Sequence, residues 1–490
     1  MLGSPSYIKV MGALWFALLA MMATLQSCTG LSDRPELFPD RLAPEHQERE
    51  WRPPSETALE PGRTVASIAT GTIQNGRAYD LPMLVDIALQ NNPITQRTWS
   101  SARAEAARYG AAQAPYYPQV AVSSENGYAR TIVQLPGSFG VLKQWQADPV
   151  LSMTWTLLDF GRRGASSDSA RERLYAANWS FNRSIQDVAF NAEAAFYSLD
   201  AAEGGVIAAR QNLKLAEADF DAVRQRVDLG LATQPELLLA KERVAESRFD
   251  LANAELMVHD AEAQLAVAVG VPASPPIKIT GLESQPIPRE LNRSVEDFIA
   301  QARRERPDLA ARGASVRAAD AEVRQARAQF FPELGMEGAY GENAWNFNFQ
   351  LPQTVKIAQP QYSAMLALRW DLFTGFKRRN DLIAAERERD VARAQLASSE
   401  IDIVAEMWRA YYELESSRSK FAFAQSLIDA SNESYEANRE TYRQGLSTIV
   451  ELLTAERDLA NARYTFIGSK AQLLTSYASV IHAAGASRAK

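Results

Sequence analysis

Two periodicities divide this chain into long helices and strands. In one segment, the apolar residues advance by three and four positions: Phe181, Ile185, Val188, Ala192 and Phe196. In a later segment, large apolar residues recur every seven positions: Leu237, Val244, Leu251, Val258 and Leu265. Small residues stand between them: Ala240, Ser247, Ala254, Ala261 and Ala268. The first pattern predicts an amphipathic helix, and the second predicts a coiled-coil seam whose small residues allow close helix approach.

The predicted helices are very long and fold back on themselves. No proline occurs between Arg162 and Leu229, and only the pair Gly204-Gly205 interrupts the helical pattern. Such a helix would reach about 100 Å, so it must pack side by side with a neighbour rather than inside a small globule. Gly230 ends it, and Pro235 suits the first turn of a returning helix. The pattern therefore predicts a helical hairpin with its tip at Gly230, and a second one with its tip at Gly445.

At the other end of each predicted hairpin the period becomes two. Residues 151–157 alternate apolar and polar, and residues 119–123 do so more weakly. In the second half of the chain, Leu366, Leu368 and Trp370 share one face of a strand. This alternation fits an outer-membrane barrel with its apolar face toward lipid, and the alternative is a small soluble sheet with one buried face. Four strands cannot close a barrel or leave open edges in lipid, so a barrel must be shared by two or three chains.

The two halves of the chain are repeats. Pro93 and Pro118 recur at an offset of 214 as Pro307 and Pro332. Six further residues recur at an offset of 215: Trp155, Tyr197, Gly230, Thr233, Glu236 and Arg248 match Trp370, Tyr412, Gly445, Thr448, Glu451 and Arg463. An ordered register over most of the chain indicates a duplicated structural unit. We predict a first repeat over residues 81–290 and a second over residues 291–490.

The N-terminus carries a targeting signal. The apolar run from Val10 to Leu25 is shorter than the roughly 20 residues that a membrane-spanning helix needs, which favours an export signal over residues 1–27. Leu25-Gln26-Ser27-Cys28 resembles the bacterial lipoprotein box, in which the cysteine is acylated and becomes the first mature residue. The alternative is an ordinary secretory signal with an incidental cysteine. Residues 28–80 are rich in Pro, Glu and Arg and predict an extended linker.

Composition argues against enzyme and nucleic-acid functions. The chain has 52 basic and 59 acidic residues, so no basic excess suggests nucleic acid. Cys28 is the only cysteine, and His46, His259 and His482 are scattered without metal-ligand spacing. No phosphate-binding Gly-x-x-x-x-Gly-Lys-Ser/Thr motif occurs. We predict no catalytic site, no cofactor and no metal. Arg162-Arg163 and Lys377-Arg378-Arg379 follow the outgoing strand in each repeat. We predict that they are solvated charges at a helix start, and contact with lipid head groups is the alternative.

Several motifs resemble those of the TolC-like outer-membrane efflux proteins. They are Asn91-Asn92-Pro93, Tyr117-Pro118, the segment 155–161 (WTLLDFG), Leu229-Gly230-Leu231-Ala232-Thr233 and the segment 442–453 (YRQGLSTIVELL). The likeness runs from about Leu81 to about Ala484, and the doubled order of the motifs is its most specific feature. The resemblance implies an α+β membrane protein: a homotrimer in which four strands per chain share a transmembrane β-barrel and the helices form a long coiled-coil tunnel.

The family resemblance also implies partners and a location. It implies a passive duct in the bacterial outer membrane that extends into the periplasm, with Cys28 carrying the lipid anchor, palmitate included. A periplasmic adaptor (membrane fusion protein) and an inner-membrane pump of the RND or ABC type would supply substrate and energy. Small-molecule or drug efflux is the favoured function, and the outer-membrane step of type I protein secretion is an alternative. A periplasmic coiled-coil lipoprotein without a pore is a further alternative, although it leaves the doubled strand pairs without a purpose.

Site residues follow from the same resemblance. The adaptor-docking tips would be Gly230, Leu231, Ala232 and Thr233 in the first repeat and Gly445, Leu446, Ser447 and Thr448 in the second. Tyr442 matches a tyrosine that ties the closed tunnel end, and Glu236 and Glu451 match acidic positions at its mouth. Ser447 and Thr454 depart from relatives with an arginine and a second aspartate there. Alternatively, the two glutamates complement helix dipoles; we favour that for Glu236, and for Glu451 an acidic pore ring.

Overall fold

A computed structural model describes residues 42–52, 77–274, 276–281, 293–348 and 355–486. The elements within these ranges, in chain order, are β1 (Ala78–Tyr79), α1 (Leu81–Asn91), α2 (Pro93–Ala112), β2 (Gln119–Leu135), β3 (Ser138–Leu158), α3 (Arg162–Asp228), α4 (Gln234–Val269), β4 (Lys278–Ile279), α5 (Val295–Glu305), α6 (Pro307–Ala328), β5 (Glu333–Asn348), β6 (Val355–Arg369), α7 (Lys377–Arg443) and α8 (Ile449–Ala483). Their contacts divide into a strand unit, described for residues 110–167, 327–348 and 355–373, and a helical unit.

The strand unit is one antiparallel sheet in the order β2-β3-β5-β6. Its register places Val122 opposite Leu151, Leu151 opposite Tyr340, and Tyr340 opposite Tyr362, so one face is a continuous apolar band. On the opposite face, Gln144, Gln146 and Asp148 form a ladder of side-chain hydrogen bonds. The predicted alternation is confirmed, but the strands have 15 to 21 residues and are longer than the alternating segments.

In each repeat a tryptophan lies at the C-terminal end of the strand that leads into the long helix. Trp155 Nε1 donates to the carbonyl of Tyr116 at 3.0 Å, and Trp370 Nε1 donates to the carbonyl of Phe330 at 3.2 Å. The acceptors lie in the segments that lead into the preceding strands, which are β2 for Tyr116 and β5 for Phe330. The repeated tryptophan therefore makes the same hydrogen bond to the backbone in both repeats.

After β3, Arg163 contradicts the prediction of solvated charges, whereas the Arg162 side chain is 41 % exposed. Arg163 stacks over Tyr116, bonds Asp159 at 3.1 Å and donates to the carbonyl of Thr156 at 2.6 Å. Arg162 pairs with Glu333 at 2.8 Å. These contacts close the end of β3, where its last carbonyls would otherwise lack donors.

The helical unit confirms the predicted hairpins and seams. α3 continues as 67 residues through Gly204-Gly205. All five residues of the first apolar pattern are buried: Phe181, Ile185, Val188, Ala192 and Phe196. In α4, six seam positions are buried: Ala240, Val244, Ser247, Ala254, Ala261 and Leu265. Within the residues described, no helix is both long enough and apolar enough to cross a membrane.

Each repeat closes with the same joint between its short and long helices. Gly270 ends α4 at φ +78°, and Asn92, between α1 and α2, donates from Nδ2 to the carbonyl of Ala268 at 2.9 Å. In the second repeat Gly485 has φ +75°, and Arg306 between α5 and α6 donates to the carbonyl of Ala483 at 3.1 Å. An amide and a guanidinium thus serve the same free carbonyls at a helix end.

We expect Arg306→Ala to destabilise the helical unit by about 3 kcal/mol, because a buried guanidinium with several partners leaves unmatched groups when it is removed. Arg306 is 3 % exposed and also bonds Asp308 at 2.7 Å and Glu406 at 2.6 Å. Arg317→Ala is the control: Arg317 pairs with Glu172 but is 55 % exposed, and its loss costs at most about 1 kcal/mol. Thermal unfolding in detergent measures both, and equal losses would contradict the assignment.

The described part of the predicted linker packs against the helices. Trp51 is buried against Tyr175 and Trp179, and its backbone N–H and carbonyl both bond the Asn182 side chain at 2.6 Å. Trp99 Nε1 donates to the carbonyl of Pro44 at 2.9 Å. Proline-rich composition predicts an extended chain, and it gave no signal that one tryptophan would enter the helical core.

Candidate functional site

The two hairpin tips have the same backbone geometry. At the first tip, Gly230 has φ +72° and the N–H of Leu231 donates to the carbonyl of Arg226 at 2.7 Å. At the second, Gly445 has φ +76° and the N–H of Leu446 donates to the carbonyl of Thr441 at 2.9 Å. This is the usual glycine stop of a helix, in which a left-handed residue lets the chain reverse. It leaves the two leucines exposed, at 65 and 75 %.

The returning helices begin with capping boxes that involve the two glutamates. Glu451 Oε2 accepts from the backbone N–H of Thr448 at 2.8 Å, and the N–H of Glu451 donates to Thr448 Oγ1 at 3.3 Å. Glu236 Oε2 accepts from the N–H of Thr233 at 3.3 Å. Both carboxylates therefore stabilise helix starts by capping, beyond the helix-dipole role considered above as the alternative to a pore ring. Glu451 is exposed, so its capping role leaves a carboxylate oxygen in contact with water.

Tyr442 lies under an arginine from the other hairpin. The Arg226 guanidinium sits 4.7 Å above the Tyr442 ring, and its Nη1 donates to the carbonyls of Tyr442 at 2.6 Å and Arg443 at 3.3 Å. Burial raises the pKa of Tyr442, so its hydroxyl stays protonated. Arg226 thus fastens the end of α3 to the end of α7. Sequence reasoning missed it, because a basic residue in the last helical turn reads as a partner of its own helix.

The residues that depart from the family pattern make only local bonds. Ser447 Oγ accepts from Thr441 Oγ1 at 3.0 Å, which keeps it on its own hairpin. Thr454 Oγ1 donates to the carbonyl of Val450 one turn back at 2.7 Å. Within the described part of the chain, neither side chain bonds to the first hairpin, whereas Arg226 of the first hairpin bonds to the second.

Behind the tips, an apolar layer packs the hairpins together. We call it the tip cluster, and its buried members are Val223, Ala240, Tyr435, Tyr442, Ile449, Leu452, Ala455 and Leu459. They come from all four long helices, and Ala240 is one of the predicted seam positions. Burying this many apolar side chains favours the packed arrangement of the two tips.

A buried polar belt follows the tip cluster, and we define it by four residues: Asp219, Arg243, Tyr435 and Glu456. Tyr435 Oη donates to Asp219 Oδ2 at 2.9 Å, which joins α7 to α3. Arg243 Nε donates to Glu456 Oε1 at 3.1 Å, which joins α4 to α8. Burial raises the pKa of Asp219 and of Tyr435. Heptad analysis cannot find such groups, since it scores these positions only as seam or surface.

Metal binding has no geometric support in the described part of the chain. No group of three histidine, cysteine or acidic side chains there could hold a metal ion. His259 bonds the neighbouring Glu262 at 3.0 Å on an exposed helix face. His482 bonds Asp187 at 2.7 Å and stacks on Phe190. Cys28, the predicted lipidation site, lies outside the described residues.

Long antiparallel helices together with a sheet that has one apolar face fit the class of outer-membrane export proteins. Comparison with known proteins identifies the family. The model of the family "Outer membrane efflux protein" matches residues 84–271 and 298–486, one match in each repeat. The chain belongs to the outer membrane efflux protein family. Its members are channels rather than enzymes, in agreement with the prediction of no catalytic function.

Individual relatives agree with this placement. The chain is 29 % identical to protein CyaE of Bordetella pertussis over 412 residues, covering 84 % of this chain and 85 % of that protein. It is 24 % identical to the antibiotic efflux pump outer membrane protein ArpC of Pseudomonas putida over 466 residues, covering 92 % of each. The CmeC outer membrane channel of Campylobacter jejuni has the same fold, with a TM-score of 0.72 at 17 % identity, over 84 % of this chain and 87 % of that one.

Proposed function

We propose that this protein is the outer-membrane channel subunit of a tripartite exporter and that three copies form one passive duct. The observation that carries the proposal is the open sheet with an exposed apolar face. β2 and β6 are its two edges, and Val122, Tyr362, Leu366 and Leu368 are each at least 70 % exposed. A sheet with free edges is not tolerated in lipid, and its closure by neighbouring chains satisfies both edges and places the apolar face against acyl chains.

The long helices support the same assembly. Large apolar side chains on α7 are exposed in the single chain, among them Ile401 at 70 %, Phe423 at 74 %, Tyr412 at 51 % and Trp408 at 44 %. A stripe of this kind indicates an interface rather than a solvated surface. We assign it to helices of a neighbouring copy, so that the helices of three chains enclose a tunnel in the periplasm.

The hairpin tips are the proposed contact with a periplasmic adaptor. Leu231 and Leu446 are exposed on turns of identical geometry, followed by Ala232-Thr233 and Ser447-Thr448. Two matching turns per chain would offer repeated sites to a ring of adaptor chains. In a threefold assembly Glu451 would contribute three carboxylates near the axis while it caps its helix, and Glu236 could add three more. Tyr442, held by Arg226, would form part of the closed end.

Cys28 is the proposed lipid anchor, following a signal peptide over residues 1–27 and preceding a linker over residues 28–80. The packing of Trp51 against α3 would keep the anchored segment along the helices. Small molecules, exported with an RND or ABC pump, are the favoured class of cargo. Relatives whose matches span 92 % of the chain are named for antibiotic and toluene efflux. Susceptibility of a deletion strain to antibiotics, dyes, bile salts and metals tests it against protein secretion.

The mature protein is expected to be a trimer in detergent by native mass spectrometry and to conduct ions in planar bilayers. Cys28→Ser is expected to leave the protein in the outer-membrane fraction, since a closed barrel holds it there without the lipid. A lipid-tethered coiled coil without a pore would be released to the periplasm by the same change. A monomer without conductance would overturn the proposal.

A further inference from the structure

In the ion pair of the buried polar belt, Arg243 has a second carboxylate partner and Glu456 has no second cation partner within the described residues. Arg243 is 4 % exposed and Glu456 is 1 % exposed. Arg243 Nη1 also donates to Glu246 Oε2 at 2.8 Å, and Glu246 is 46 % exposed. Glu456 Oε2 is buried and has no hydrogen-bond partner within the part of the chain that the structure describes. Arg243 therefore keeps an accessible carboxylate when Glu456 is neutral, whereas charged Glu456 depends on Arg243.

Charged and titratable groups approach Glu456 from all three other long helices. Asp219 of α3, Arg243 and Glu246 of α4, and Tyr435 of α7 interact with Glu456 directly. Asp250 of α4 and Arg439 of α7 interact with these groups. With Glu456 itself, four carboxyl groups face two guanidinium groups. Arg439 lies 3.7 Å from Asp219, so that it offsets Asp219 rather than Glu456. These groups thus carry an excess of negative charge, and a carboxyl that water does not reach is the natural place for a proton.

Burial identifies which carboxyl that is. It raises the pKa of Glu456 to about 7, against the opposing attraction of Arg243, and the charges of Asp219 and Glu246 add to the rise. An ion pair normally lowers the pKa of a carboxyl. Here the loss of hydration outweighs the pairing, as expected for a fully buried group with one unsatisfied oxygen.

We propose that Glu456 is a proton-binding site that couples periplasmic pH to the packing of the two hairpins behind the tips. The neutral carboxyl favours the packed arrangement, and the carboxylate favours separation of α4 from α8, where water can hydrate it. This deepens the proposed channel function, on which it rests, by assigning a regulator to the closed end.

Linkage between proton binding and hairpin packing fixes the direction of the pH effect. When the hairpins separate, Glu456 meets water and its pKa falls toward the ordinary value of about 4.3. The proton therefore binds more tightly to the packed state, and acid stabilises that state. As pH rises through about 7 the extra stability is lost. The equilibrium between packed and separated hairpins shifts by about 30-fold between pH 5.5 and 8.5.

The first test measures amide hydrogen exchange of the tip peptides in the full-length protein at pH 5.5 to 8.5, corrected for the intrinsic pH dependence of exchange. Protection of the wild-type tips is expected to fall as pH rises, with a midpoint near 7. Glu456→Gln keeps the size of the side chain without its charge, and its tips are expected to stay protected throughout. Asp458→Asn removes an exposed acid of the same helix and is expected to follow the wild type.

Two further measurements make the test decisive. Arg243→Gln removes the cation that opposes protonation, so the midpoint is expected to move to higher pH. Single-channel open probability is expected to rise with pH in the wild type and not in Glu456→Gln. Conductance that depends on pH equally in both proteins would overturn the inference and leave the channel intact. Tip protection that follows Glu456 in a protein without conductance would overturn the channel function and leave the proton site.

Discussion

Gly270→Ala is expected to destabilise the helical unit by about 2 to 5 kcal/mol, because it combines backbone strain with a steric clash. Gly270 ends α4 at φ +78°, a conformation that residues with a Cβ rarely adopt. A Cβ at this position would lie 2.6 Å from the Cα of Asn92. The obstacle is backbone, so relief requires a shift of the joint between α1 and α2. The midpoint of thermal unfolding in detergent measures the loss.

Gly230→Ala separates the two contributions. Gly230 has a similar φ of +72°, but nothing lies within 4 Å of an added Cβ there. Its substitution carries the backbone cost alone, about 1 kcal/mol. Gly485 provides an independent check in the second repeat, where a Cβ would lie 2.8 Å from Arg306 Cγ and 3.0 Å from its Cα. A Gly270→Ala protein as stable as Gly230→Ala would show that the joint is not tightly packed.

The sequence predicted the long-range architecture well because that architecture rests on repetition. Long helices need a sustained apolar stripe, and the stripe through Phe181 and Val188 is legible over many turns. The hairpin reversals need glycine, and Gly230 and Gly445 stand at the same offset as the surrounding motif. Strand existence followed from alternation, yet strand length did not, since the alternation weakens along β2 well before the strand ends at Leu135.

The polar contacts between helices were beyond prediction. In the sequence, Arg163 and Arg226 cannot be told from ordinary surface cations. Both donate to main-chain carbonyls, which no sequence pattern reveals. Arg243 and Glu456 occupy helices from different repeats, so only the packed structure brings them to 3.1 Å. The capping role of Glu451 was different: Thr448-x-x-Glu451 is a capping box that the sequence itself contains.

Arg226→Met is expected to shift the closed end toward opening by on the order of 100-fold, because charged hydrogen bonds to two carbonyls and a ring contact are lost together. Through Arg226, α3 bonds to the C-terminal end of α7. Methionine keeps much of the apolar part of the arginine side chain and removes the guanidinium. We expect a higher open probability in planar bilayers and faster hydrogen exchange in peptides that span Tyr442. Lysine at this position restores the charge but not the planar donor pair, so recovery is expected to be partial.

Arg224→Met is the matched control, since Arg224 is exposed on the same turn of α3 and its removal changes the net charge equally. If the overall charge of the mouth gates the channel, both substitutions change the open probability equally. If the bonds between Arg226 and the end of α7 close it, only Arg226→Met changes the open probability. These bonds join two hairpins of one chain, so their loss acts within each protomer even in a complete assembly. Equal behaviour of the two variants would place the closing contact elsewhere and reduce the Arg226–Tyr442 pair to a local helix cap.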